Sequence, residues 1–169
     1  AGVVSGSVLV RVPGSSRLQP LGAGQNIPMG SLINATHGVV KVTDAVDRKG
    51  HTQSATVWAG SFVMTQARTG RGMTTFKLAG SLGCPSPRGV TTAAARSRAP
   101  VKLWGKDNHG RYSTRGRNSV ATVRGTVWET VDSCAGTRTV VKRGVVSVRN
   151  LHRRSSVLVR AGHSYLARR

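Results

Sequence analysis

An all-β domain is the fold class this sequence predicts, and three observations carry the prediction. Short β-branched runs recur along the chain, too short for stable helices and rich in residues that fit a pleated, half-buried surface. Glycines punctuate these runs, most regularly at Gly125, Gly136, Gly144 and Gly162 within the segment 120–167. Glycine turns a chain through backbone angles that a Cβ would block. No span longer than about ten residues keeps a helical period.

The elements follow in order. A first strand is expected over 7–12, with Val8, Val10 and Val12 on one face, ended by the turn at Pro13-Gly14. A short extended piece over 18–21 carries Pro20, and 27–33 is interrupted by Pro28 and Gly30. The run 38–43 is a strand with Val40 and Val42 inward and Lys41 outward. Strands over 53–58 and 61–66 flank Ala59-Gly60, and Thr74, Phe76 and Leu78 alternate cleanly with Thr75 and Lys77. Between Cys84 and Pro100 the pattern collapses into one long loop, in which only 91–98 could form a short helix. A strand over 101–104, a polar turn over 106–110 and the glycine-punctuated strands complete the chain. The 169 residues make one domain, or two subdomains, 1–83 and 101–169, joined by the loop at 84–100.

Charge is the strongest functional signal. The chain holds 26 Lys and Arg against 5 Asp and Glu, a formal net charge of +21. A field of that size attracts polyanions such as nucleic acid, teichoic acid or anionic lipid. The second half is the more basic, at +15 over 85–169 against +6 over 1–84. Arginine dominates there, and its planar fork suits phosphate oxygens. Candidate polyanion-binding residues are Arg111, Tyr112, Arg115, Arg117 and Arg124, then Lys142 and Arg143 at a turn, and Arg149, Arg153 and Arg154 around His152. Tyr112 or Trp104 could stack on a base or sugar.

Catalytic and metal chemistry find little support. The five carboxylates, Asp44, Asp47, Asp107, Glu129 and Asp132, are sufficiently explained as offsets to nearby positive charge. The five histidines are scattered without metal-ligand spacing and fit solvated turns. There is no G-x-S-x-G elbow or P-loop, so no enzyme, cofactor or metal is expected. Cys84 and Cys134 lack C-x-x-C spacing and are expected to form a disulfide, which favours an oxidising compartment. No run of 18 apolar residues is present, so no transmembrane segment is expected.

The blocks G-S-V-L-V-R-V-P-G and A-G-Q-N-I-P-M-G-S-L-I-N-A-T-H-G-V-V-K-V-T, with the later V-A-T-V-R-G-T-V-W, T-R-T-V-V-K-R-G-V-V-S-V and V-L-V-R-A-G-H-S-Y-L, resemble the FecR-like domain family. The resemblance covers most of the chain outside about 84–112. It implies a β-solenoid-like or β-sandwich stack of short strands that is periplasmic or extracellular and acts by binding and signalling. Trp128 stands where that family usually has Phe, and Cys84 and Cys134 are extra, features resembling the secreted, actinobacterial-type members. The functional expectation is a secreted or cell-surface module, non-enzymatic, whose partner is an anionic polymer (a cell-wall polymer or extracellular nucleic acid) or an acidic protein surface. Alternatives are a homo-oligomeric subunit that assembles a surface fibre or lattice through strand edges, and a nucleic-acid-binding protein.

Overall fold

The computed structural model describes residues 1–67, 72–84 and 99–168. The short helix considered over 91–98, most of the long loop, and Gly70 and Arg71 lie outside them. Every regular element among the described residues is a strand: β1 (Gly2–Arg11), β2 (Gln19–Pro20), β3 (Leu32–Ala45), β4 (Thr52–Trp58), β5 (Ser61–Gln66), β6 (Thr74–Leu78), β7 (Val101–Asp107), β8 (Tyr112–Arg115), β9 (Ser119–Val123), β10 (Val127–Ser133), β11 (Gly136–Arg143), β12 (Val145–Asn150), β13 (Ser156–Arg160) and β14 (Ser164–Ala167). The all-β expectation is borne out. The strand β5 has the predicted bounds, while β3 is far longer than expected and absorbs most of 27–43.

All fourteen strands belong to one sheet, ordered β13-β12-β9-β8-β6-β5-β3-β4-β7-β10-β11-β14, with β1 on β3 and β2 on β1. The sheet is nearly closed and barrel-like, and the β-solenoid-like or β-sandwich stack of short strands that the resemblance implies is not borne out. The reason lies in β3. Its first residues, Leu32 to Asn34, pair with β5, and its last, Val39 to Ala45, pair with β4. Thus β4 and β5 are two arms of one bent run, and the bend at Ala59-Gly60 carries the sheet from one wall to the other. Ala59 takes a left-handed φ of 61° there, and any Cβ on Gly60 would overlap the Lys102 carbonyl oxygen.

One wall comprises β4, β7, β10, β11 and β14; the other comprises β5, β6, β8, β9, β12 and β13. Strands from before and after the 84–100 loop interleave, since β4 pairs with β7 and β6 runs parallel to β8. Parallel neighbours need a long crossover, which the segment between β6 and β8 supplies.

The core fills the space between the walls. Val40, Val42, Val57 and Val141 share one cluster with Ile33, Phe62, Phe76, Val146 and Val148, all essentially buried. Each such side chain contributes about 1.5–3 kcal/mol relative to exposure. Val40 and Val42 point inward as read, and of the face that joins Val8, Val10 and Val12 the first two are buried and Val12 only partly. Trp128 is the largest buried side chain and donates its indole N–H across the core to Thr114 Oγ1 at 2.8 Å. Its ring needs the bare backbone of Gly105, where a Cβ would overlap it. Gly105→Ala is therefore expected to cost about 1–3 kcal/mol as an overpacking change, measured as a lower denaturation midpoint at unchanged m-value.

The expected disulfide is present. Cys84 and Cys134 are bonded with Cα atoms 5.4 Å apart, 50 residues apart in sequence. It ties the segment after β6 to the turn between β10 and β11.

Candidate polyanion-binding face

The fold first sorts the charges. Every Lys and Arg among the described residues is exposed, whereas Asp44, Asp107 and Asp132 are 7%, 1% and 4% exposed. These three carboxylates do not offset cations as the sequence suggested. Asp107 Oδ2 accepts the Gly125 amide at 2.7 Å and its Oδ1 the Thr126 amide at 2.8 Å, holding the β9–β10 turn. Asp132 accepts the Arg117 amide at 3.0 and 3.1 Å and the Thr137 hydroxyl, holding the β8–β9 turn.

Asp44 is the hub of the largest polar cluster. It accepts Thr74 Oγ1 at 2.6 Å, Gln53 Nε2 at 2.7 Å, Tyr112 Oη at 2.8 Å and Gln66 Nε2 at 3.1 Å. A buried carboxylate whose lone pairs are filled by donors is a structural tie between strands. Among the described residues the only ion pair is His51 with Asp47, at 2.6 Å. That hydrogen bond holds Asp47 below the usual carboxylate range and raises His51. Folding therefore hides most of the negative charge and leaves the described Lys and Arg side chains outside, with no carboxylate partner among the described residues.

Tyr112 does not belong to the surface. It is 0% exposed, its ring stacks on Phe76 at a centroid distance of 5.4 Å, and its hydroxyl donates to Asp44. Alternation along β8 explains the correction, because Tyr112 and Thr114 face the core while Arg115 faces solvent. Burial, followed by the charge of Asp44, drives the Tyr112 phenol well above its ordinary pKa. An unfolded tyrosine ionises near pH 10. A raised folded pKa means this contribution to stability is complete below pH ~10 and is lost as pH rises beyond it, by about 1.4 kcal/mol per unit. Alkaline titration of stability should show a steeper decline in the wild type than in Tyr112→Phe.

The arginines gather in two clusters on the outer face of the second wall. Register places Lys77, Arg115, Val120 and Arg149 side by side on β6, β8, β9 and β12. At about 4.8 Å per strand this row spans about 14 Å. The turn after β8 and the turn after β12 meet at the same end. The Leu151 amide donates to the Asn118 carbonyl at 2.9 Å, and His152 Nε2 lies 3.0 Å from Asn118 Oδ1. Arg117, Arg153 and Arg154 thus join Arg115 and Arg149, with Arg154 in a left-handed turn conformation at φ 55°.

Arg111 and Arg124 sit at the opposite ends of β8 and β9. They line a cleft of about 530 Å³ with Val46, Asp47, Gln53 and His109. Arg160 pairs with Val145 on the neighbouring strands. Lys142 and Arg143 lie apart, at the β11–β12 turn. Between the two arginine clusters runs a hydroxyl row, Thr75, Ser113, Thr122 and Ser147, in which Thr75 Oγ1 and Ser113 Oγ are 2.8 Å apart. Ser113 is only 4% exposed, so the face offers a chain of anionic groups its cations and the hydroxyls of Thr75, Thr122 and Ser147.

Sequence reasoning missed Lys77 and Arg160. Their outward alternation was visible, but not that β6 would run beside β8 or that β13 would border β12. Trp104 lies elsewhere, on the outer face of the first wall, stacked on Trp58 at 6.0 Å. Compared with family models, curated proteins and solved structures, the chain matches none.

Proposed function

We propose that this chain is a non-enzymatic, FecR-like extracellular module that binds an anionic polymer on the arginine face of its second wall. One observation carries the reading: three of the five carboxylates are buried as strand ties, while the described cations remain exposed and free of carboxylates. The Cys84–Cys134 bond is compatible with an oxidising, extracellular setting. Polyanion affinity that arises from counterion release falls steeply with salt. Retention on heparin or single-stranded DNA should therefore decline log-linearly with salt. The Lys77→Ala/Arg115→Ala/Arg149→Ala variant should elute earlier, with a slope reduced by about one per lost contact. Salt-independent binding, or identical elution of the variant, would contradict the proposal.

A second reading, assembly through strand edges, has one observation in its favour. Among the described residues β13 pairs only with β12 and β14 only with β11, and Leu158 beside this seam is 65% exposed. The net charge opposes it. Sedimentation at raised salt that shows monomer alone would exclude assembly.

A further inference from the structure

We propose that the outer face of the first wall is a second binding site, specific for the sugar rings of an acidic polysaccharide, with Trp58 and Trp104 as its platform. This site lies on the opposite wall from the arginine face and stands independently of it.

The chain is poor in aromatic residues, with 3 Trp, 2 Tyr and 2 Phe. Phe62, Phe76, Tyr112 and Trp128 are buried, and Tyr165 is partly buried against the core. The remaining two are directly paired across β4 and β7, only partly buried, and stacked on each other with planes 11° apart. Two indoles on the solvent side of a sheet are out of keeping with the Thr and Lys residues around them.

Register gives their surroundings. The central row reads Val39, Trp58, Trp104, Glu129 and Val140 across five strands. One neighbouring row carries Lys41, Lys106 and Arg143, and the other carries Lys102 and Arg138. Rows two residues apart lie about 6.8 Å from each other. Exposed cations therefore bracket the indole pair on both sides, within side-chain reach of the substituents of a ring seated there.

Glu129 chooses between ligands. It lies directly opposite Trp104, and with Asp47 it is one of the two carboxylates left outside the core. A carboxylate accepts hydrogen bonds and cannot donate them. Beside an aromatic platform it suits ring hydroxyls, donors that the phosphodiesters and internal deoxyriboses of a DNA backbone do not offer. A pyranose offers an apolar C–H face for the indole and hydroxyl donors for Glu129, and a uronic acid adds a ring carboxylate for Lys102 or Lys106. A uronic-acid polymer meets all three demands, and single-stranded nucleic acid meets them less well.

Trp fluorescence tests this, with buried Trp128 as a constant background. Oligogalacturonate should change the emission of the wild type, and Trp58→Ala/Trp104→Ala should bind it at least about tenfold more weakly. If that variant fails to fold, Lys102→Ala/Lys106→Ala changes only exposed side chains and should weaken binding with the platform intact. Arg115→Ala/Arg149→Ala should leave the Trp response unchanged, which separates this site from the arginine face. Unchanged affinity in the folded Trp or Lys variants would overturn the proposal. So would polyglutamate or oligodeoxythymidylate displacing oligogalacturonate from the indoles at equal or lower concentration.

Discussion

Asp44→Ala is expected to lower the unfolding free energy by about 3–5 kcal/mol. Four side-chain donors, from Gln53, Gln66, Thr74 and Tyr112, converge on that carboxylate. An alanine removes the acceptor and leaves the buried Thr74 and Tyr112 hydroxyls each with a proton that has lost its acceptor. The four donors sit on β4, β5, β6 and β8, so the loss is felt on both walls at once. For a domain of this size, 1 kcal/mol shifts the melting temperature by about 2–4 °C, so thermal unfolding should fall by roughly 10 °C or more. Asp44→Asn keeps an acceptor oxygen and should lose less. A shift below about 1 kcal/mol in Asp44→Ala would show that the cluster is dispensable.

Removal of the disulfide is the second large effect. The bond closes a loop of 50 residues, for which chain entropy gives about 4 kcal/mol. It also spans the connection between β6 and β7, so it restrains the unfolded chain where the polypeptide passes between walls. Cys84→Ser/Cys134→Ser should show that loss in denaturant unfolding, with no further loss on adding reductant. Wild-type protein under reductant should match the variant. A variant as stable as the oxidised wild type would mean that the bond is a passive addition.

Much of the fold was legible because its signals are local. Alternation grouped the residues that share a face at Val8, Val40 and Phe76, all buried, and glycines marked the turns at Gly125, Gly144 and Gly162, all three at positive φ. Strand pairing was not legible. Nothing local says that β3 will bend and take β5 and β4 in succession along one edge, because that depends on contacts between residues distant in the chain. The site followed the same division. Arg115 and Arg149 could be placed outward from their own strands, yet their alignment with Lys77 needed the parallel pairing of β6 and β8. Tyr112 was misplaced by weighing nearness in sequence above the two-residue period that puts it opposite Arg115. The buried carboxylates were misread for a different reason. A sequence as basic as this one makes charge offset the obvious role for any acid, and only the folded backbone shows the amides and hydroxyls they hold.

The central claim is that the outer face of β6, β8, β9 and β12 is where a polyanion sits. Arginine labelling with phenylglyoxal, mapped by peptide mass with and without heparin at low salt, tests it most directly. Arg115, Arg117, Arg149, Arg153 and Arg154 should be protected, while Arg11 and Arg17 on the far N-terminal segment should label at an unchanged rate. Uniform protection of all arginines, or none at Arg115 and Arg149, would contradict the claim.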